Sequence, residues 1–171
     1  MDVVSVYRQL PVIEKTAGDG NAVLFCGSIH SGNAHNVVPD EASLTGTLRT
    51  YSAVVRQEIK GRLEQAAADA AARFGTTAQV IWDGGCPSLH NDARLLKAVR
   101  SLVPELDDEV SPTLAAEDFA CYLEHAPGVM LWLGIGDTPP LHNEAFYVPE
   151  QILPDGVELW VKLAARDWKG G

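Results

Sequence analysis

Cysteine is scarce: Cys26, Cys86 and Cys121 are the three in 171 residues, and none lies in a C-x-x-C spacing. An odd number cannot pair completely within one chain, so neither a disulfide scaffold nor a zinc knuckle is indicated. Buried free thiols in a reducing compartment are the plain expectation, and no neighbouring base marks any of them as a nucleophile. Positive charge is also short, with 13 Lys and Arg against 23 Asp and Glu and a net charge of -10. Such a surface repels phosphate backbones, because nucleic-acid binding relies on clustered cations displacing counterions. A run of about 18 apolar residues is missing, so no membrane-spanning helix is expected. No basic segment precedes an apolar stretch at the N-terminus, so no secretory signal is read and a cytoplasmic location is expected. G-x-S-x-G and P-loop signatures are absent too, as are internal repeats and low-complexity tracts.

What is present is a globular composition, 46% hydrophobic and 21% charged. A chain this long can bury roughly 70% of its unfolded surface without a metal or disulfide staple. Asp2 to Leu10 carries Val3, Val4, Val6, Tyr7 and Leu10 at a spacing that suits a short helix, after which Pro11 restricts the chain. Gly18-Asp19-Gly20-Asn21 reads as a turn. Ala22 to Ile29 is an apolar, β-branched run, and Ala42 to Tyr51 alternates, so two strands joined by a loop rich in Gly and Asn are expected to pair antiparallel. Ser52 is placed to cap a helix from Ala53 to Phe74, with Val55, Ile59, Leu63, Ala66, Ala67, Ala70 and Phe74 on its apolar stripe and Gly75 at its end. Thr76 to Trp82 reads as another strand.

Strand, strand, helix, strand becomes a βαββαβ ferredoxin-like unit if one more strand and helix precede it. On that reading Met1-Asp2-Val3 enters near the end of a missing helix, and the N-terminus cuts through a domain. Beyond Asp83-Gly84-Gly85-Cys86-Pro87 the pattern changes. Asn91 is expected to cap a helix carrying Leu95, Leu96, Val99, Leu102 and Val103 and stopped by Pro104. A short helix over Glu117 to His125 is expected to turn Phe119, Tyr122 and Leu123 inward. A strand over Val129 to Leu133 follows, then a Gly134-Ile135-Gly136-Asp137 loop. Asp155-Gly156-Val157-Glu158 resembles a capping box opening a last helix with Val157, Trp160, Val161, Ala164 and Trp168, ending at Gly170-Gly171.

Several places carry chemistry-bearing residues, each with a plainer reading beside the functional one. Asn36 and Arg49, at adjacent strand ends, offer an amide and a planar guanidinium fork that together suit a carboxylate. Turn chemistry and a solvated strand charge account for the same two residues. Pro140-Leu141-His142-Asn143-Glu144 follows a glycine loop at the end of an apolar strand, where α/β folds place their sites, and imidazole is a common metal donor. An ordinary loop histidine reads the same way. Glu117 and Asp118 are paired acids at a helix start, where favourable interaction with the helix dipole accounts for them without function. Gly134-Ile135-Gly136 lacks the third glycine and the following helix of a dinucleotide loop. His30 and His35 span a strand end and a loop with no convergent carboxylate.

Together these segments resemble the C-terminal half of the dinuclear-metal amidohydrolases of the aminoacylase and hippurate hydrolase type. The stretches that carry the resemblance occur in family order. They are Gly27-Ser28-Ile29, Ala34-His35-Asn36-Val37-Val38-Pro39-Asp40, Gly46-Thr47-Leu48-Arg49-Thr50, Pro87 to Asp92, Glu117-Asp118-Phe119, Pro127-Gly128, Leu133-Gly134 and Leu141-His142-Asn143. The resemblance implies an α/β (α+β) fold in two pieces. Residues 1–83 would be most of a ferredoxin-like lid used for dimerisation, and residues 84–171 the C-terminal part of the catalytic α/β domain. It implies hydrolysis of the amide bond of N-acyl amino acids, with zinc or manganese polarising the carbonyl and activating a water while a glutamate shuttles the proton.

By the same resemblance Asn36 and Arg49 would form the carboxylate and oxyanion side of the pocket. Glu117, beside Asp118, would support substrate in the cleft, and His142 would be the C-terminal metal ligand. No catalytic residue is assigned in this chain: the general base and the other ligands belong to the half that has no counterpart here, so the chain alone is expected to be inactive. Ala116 stands where family members commonly carry glycine. A homodimer through the lid and a small N-acyl amino acid are the implied partners. The alternative reading is a non-catalytic dimerisation or ligand-binding module that retains the lid.

Overall fold

The computed structural model describes residues 3–18, 21–107 and 110–168, with side chains left aside for 16–18. The chain divides into two compact units, Met1–Leu89 with Pro112–Cys121, and His90–Ser111 with Tyr122–Gly171.

The first unit is built on a β-hairpin. Strand β1, Ala22–Ser31, pairs antiparallel with β2, Ala42–Thr50, from Ala22 opposite Thr50 to Ser31 opposite Ala42. The register shifts between Cys26 and Ser28, so Gly27 is the extra residue of a bulge. Gly46, paired with Cys26, has to be glycine: a Cβ there would lie 2.2 Å from the Phe25 carbonyl oxygen. Before the bulge the strand alternates, with Ala22 and Leu24 buried and Val23 and Phe25 exposed.

Helix α1, Val3–Gly18, lays Val3, Val6, Leu10 and Ile13 in one buried stripe. It is longer than the sequence suggests, since it continues through Pro11. Pro11 fits helical φ and forfeits one hydrogen bond, while the stripe beyond it still gains burial from Ile13. Val4 and Tyr7, expected on the inner face, are exposed. Of the predicted turn 18–21, Asp19 and Gly20 lie outside the described residues.

Helix α2, Ala53–Phe74, buries Ile59, Ala66, Ala67, Ala70 and Ala71. Ser52 holds the N-cap position in extended backbone without a side-chain capping bond. Gly75 ends the helix at φ 61°, and Thr76 N–H reaches back to the Ala71 carbonyl at 2.9 Å, closing a Schellman-type turn. Leu10, Ile13, Ala22, Leu24, Ile59 and Ala66 meet in one core cluster, with Leu48, Val55 and Leu63 packed against it. Ile59 is wholly buried. The α2 stripe read from the sequence is therefore the face that carries the core, except that Phe74 is exposed.

Thr76 to Trp82 is not a strand. Among the described residues β1 and β2 pair only with each other, and a segment without a ladder partner has nothing to hold it as sheet. Trp82 instead turns to α2, where its indole N–H donates to Glu64 at 2.7 Å and the Lys60 ammonium sits 4.8 Å from its ring.

In the second unit, helix α3, Ala93–Arg100, is capped by Asp92, whose carboxylate accepts from Leu95 N–H at 2.8 Å. The expected cap, Asn91, does something else. Its amide donates to the Met130 carbonyl at 3.1 Å and accepts from the Met130 N–H at 2.8 Å. Val129 to Leu133 is accordingly no strand, its middle held at Met130 by the Asn91 side chain.

The short helix α4, Phe119–Tyr122, is half the expected length, and Tyr122 is exposed while Ala120 is buried. Helix α5, Leu153–Ala165, starts directly after a 3₁₀ turn, Glu150–Ile152. Pro154 suits the first turn, so Asp155 lies inside the helix rather than at a capping box. Gly170 and Gly171, the predicted end, lie outside the described residues. No helix among the described residues is long and apolar enough to cross a membrane.

Candidate functional site

The hairpin register decides what Asn36 and Arg49 can do together. Asn36 is exposed in the loop beyond Ser31 and Ala42, whereas Arg49 pairs with Val23 near the other end. Arg49 lies seven residue steps along β2 from Ala42, about 23 Å of strand at the usual rise. The two residues are therefore not at adjacent strand ends, because antiparallel pairing puts Arg49 beside Val23 at the end of the hairpin away from the loop that holds Asn36. The loop end holds its own cleft of about 530 Å³, lined by His30, Asn33, Val37, Pro39, Asp40 and Ser43 among others. Asn36 is not part of that lining.

At the Arg49 end, several side chains tie separate stretches of the first unit together. Arg49 Nη1 donates to the Leu114 carbonyl at 2.8 Å, and Tyr51 Oη donates to the Pro112 carbonyl at 3.2 Å. Arg56 Nη2 donates to the Cys86 carbonyl at 2.8 Å, and Ser88 Oγ to the Thr50 carbonyl at 3.4 Å. Arg49 is exposed. One bond to Leu114 leaves most of the five guanidinium donors available to a carboxylate.

Glu117 and Asp118 follow on the same segment. Half-buried Glu117 accepts from the Phe119 N–H at 3.1 Å, a local cap at the start of α4. Asp118 Oδ1 accepts from the Cys86 thiol at 3.4 Å. The thiol of Cys121, then the Asp118 carboxylate, push Cys86 up to about 11 from 9.0, because both contacts favour the protonated form. This thiol group is a site that sequence reading missed, since Cys86 and Cys121 are far apart in the chain and no spacing rule links them. Buried thiols were expected; instead Cys121 is exposed and the other two are partly so.

His142 stands in the second unit on a loop held by two linked turns. Asn143 N–H donates to the Pro140 carbonyl at 3.1 Å, and Phe146 N–H to the Asn143 carbonyl at 3.0 Å. The Asn143 side chain also accepts from Ala145 N–H at 2.8 Å. His142, third residue of the first turn, has φ 69°, the one left-handed residue other than glycine among those described. That is the position of a type II turn that demands positive φ. The imidazole is exposed. The Gly134-Ile135-Gly136 loop leads into no helix.

Among the described residues, no three His, Cys, Asp or Glu side chains converge as a metal-holding group. His30 and His35 gain no carboxylate partner of that kind. The described residues do not by themselves compose a metal centre.

Residues 10–166 match the family described as Peptidase family M20/M25/M40. The chain belongs to that family. It is 33% identical over 149 residues to the N-acetylcysteine deacetylase of Bacillus subtilis, covering 84% of this chain and 39% of that relative. It is 38% identical over 144 residues to the N-acetyldiaminopimelate deacetylase of Streptococcus uberis, covering 78% of this chain and 38% of the relative. A solved Bacillus subtilis structure, a dinuclear metal-binding peptidase of the M20 family, superposes with a TM-score of 0.77 at 28% identity. That superposition covers 96% of this chain and 45% of the other. The M20 chain thus spans about two-fifths of the length of the curated relatives it matches. The mixed α/β architecture, with its small two-stranded sheet, is consistent with this family's fold.

Proposed function

We propose that this chain is the C-terminal portion of a metal-dependent amidohydrolase that removes the acyl group from N-acyl amino acids, and that it is inactive without the rest of such an enzyme. The observation that carries the reading is the match over residues 10–166 to a family whose similar members are deacetylases of small N-acetyl amino acids. The first unit acts as the lid, and the residues from about 84 onward belong to the catalytic domain.

Within this reading Arg49 binds the substrate carboxylate, Asn36 contributes to the carboxylate and oxyanion side, and Glu117 supports the cleft. His142 is one ligand of a dinuclear zinc or manganese centre whose remaining ligands, with the general base, come from outside this chain. A left-handed turn position favours glycine over histidine by steric cost alone, which supports a role for the imidazole beyond the turn. Asn36 and Arg49 lie toward opposite ends of the hairpin, so in the homodimer that the reading includes they serve one pocket from different copies. Three free cysteines suit a reducing compartment, and the cytoplasm is the proposed location.

The test is a chimera in which this chain replaces the matched 39% of the Bacillus subtilis N-acetylcysteine deacetylase. With zinc or manganese added, the chimera is expected to release acetate from N-acetyl amino acids, and the 171-residue chain alone is not. A folded chimera without activity would overturn the enzyme reading in favour of a dimerisation module. Hydrolysis by the chain alone would overturn the division of labour.

A further inference from the structure

Given the reading in which Arg49 holds the substrate carboxylate, on which this rests, we propose that Val23 and Phe25 are specificity-determining residues. They form an apolar platform beside Arg49 that selects N-acyl amino acids whose own side chain is apolar, aromatic ones above all. The hairpin has two faces. Ala22, Leu24 and Leu48 turn to the helices and join the core. Directly paired residues of an antiparallel ladder share a face: Val23 stands opposite Arg49, Phe25 opposite Thr47 and, past the bulge, Ser28 opposite Thr45. All six are exposed. The hydroxyls of Ser28 and Thr45 bond each other, so those two side chains rise from the same face.

Of these six, Arg49 is the one ionic group, Val23 and Phe25 are apolar and the rest are hydroxyls. Threonine answers the same exposed strand pattern on β2, whereas β1 puts a valine and a 63% exposed phenylalanine into water. A directly opposed Cβ lies about 4.5–5.5 Å away and a diagonal one about 7–8 Å, still within reach of a long side chain. Val23 is the direct neighbour of Arg49 and Phe25 the diagonal one. A carboxylate on the guanidinium therefore brings its α-carbon beside Val23 and its side chain toward Phe25. The ring leans along β1 toward Gly27, where a Cβ would stand 3.7 Å from Phe25 Cε1. With glycine there, that side of the ring stays uncovered. The Leu114 carbonyl steadies Arg49 through Nη1 at 2.8 Å and leaves its other donors to the carboxylate. Charge completes the selection. A substrate ammonium is repelled by Arg49, and a second carboxylate competes with the first for the same guanidinium. An aromatic or branched aliphatic side chain instead leaves water against Val23 and Phe25.

The experiment titrates the full isotope-labelled chain with N-acetylphenylalanine, N-acetylglycine and N-acetylglutamate and follows the backbone amide signals by NMR. N-acetylphenylalanine is expected to bind about tenfold more tightly than the other two, roughly what burial of two methylene groups supplies. The largest shifts should fall at Val23, Phe25, Thr47 and Arg49. Phe25→Ala should bring the three affinities within about twofold of one another, while Phe25→Leu keeps most of the preference. Arg49→Gln should weaken all three alike. Both changes at Phe25 are on the solvent side, so the core is left as it is. Shifts at Arg49 with equal affinities would overturn the platform and leave the carboxylate role standing. Shifts confined to the loop 32–41 would overturn it by placing the ligand elsewhere. Shifts at this face that follow protein concentration rather than ligand would overturn it in favour of a second copy of the chain. No shift with any of the three would overturn it outright. The amidohydrolase reading is judged by the chimera's hydrolysis of N-acetyl amino acids, so the two fail separately.

Discussion

Arg49 donates from Nη1 to the carbonyl of Leu114 at 2.8 Å, joining the end of β2 to a segment 65 residues further along the chain. The next residues of that segment are Ala115, Ala116 and Glu117, so the guanidinium serves as an anchor for the stretch that leads into the Glu117-Asp118 pair. Both partners are near solvent, and the bond contributes about 1 kcal/mol. Arg49→Ala is therefore expected to cost about that much by urea denaturation. Amide exchange over 112–118 should quicken while α2 exchanges as before. Unchanged exchange there would show that Arg49 anchors nothing and is held only for a ligand.

His142 tests whether a residue is kept against its conformational preference. At φ 69° glycine sits more comfortably than histidine, and a β-branched residue far less so. His142→Gly should leave stability within about 1 kcal/mol of the parent, in the stabilising direction, and His142→Val should cost about 1–3 kcal/mol. In the chimera His142→Gly should nevertheless abolish hydrolysis. A Gly variant that is clearly less stable would show that the imidazole supports the fold, and would remove the argument for a ligand role.

Much of the first unit was legible in the sequence because its signals are local. The alternation of Ala42 to Tyr51 and the α2 stripe from Val55 to Ala70, closed by Gly75, each depend on neighbours a few residues away. The two expected strands that did not form, 76–82 and 129–133, show the limit. An apolar β-branched run records a tendency, but a strand exists only where another backbone lies alongside. Asn91 makes the same point from the other side, since its bidentate hold on Met130 spans 39 residues. At the candidate site, residue types were readable through family resemblance, and the expected antiparallel hairpin already put Arg49 at the end away from the Asn36 loop, as its pairing with Val23 shows. The meeting of Cys86 with Asp118 was not readable, since only the folded chain creates it.

Cys86 gives the pH dependence. Its folded pKa is raised from 9.0 to about 11, first by Cys121 and then by Asp118. The native state thus holds a proton that the unfolded state releases earlier. The associated stability is complete below about pH 9 and is lost as pH rises toward 11. Native Cys86 should accordingly resist iodoacetamide until the pH is well above that needed in urea. Asp118→Asn should shift this labelling curve toward lower pH. Identical curves in the native and denatured chain would show that Cys121 and Asp118 do not hold the thiol.

Helix α5 supplies the most direct test of whether the second unit functions as part of something larger. Among the described residues it buries none of its own, and Val157, Trp160 and Val161 are 63%, 73% and 61% exposed. An apolar stripe of this kind on a helix ordinarily lies against other protein, because contiguous exposed apolar surface is uncommon on a self-sufficient domain. If the rest of the enzyme covers it, Trp160→Lys should change the stability of the isolated chain by no more than about 0.5 kcal/mol, as for other exposed positions. In the chimera the same substitution would place a charge in an apolar contact. There it should lower the melting temperature and cut hydrolysis, whereas Trp160→Phe should preserve both. Equal tolerance in both settings would mean that this face stays in water throughout, and would favour a separate binding module over a portion of the catalytic domain.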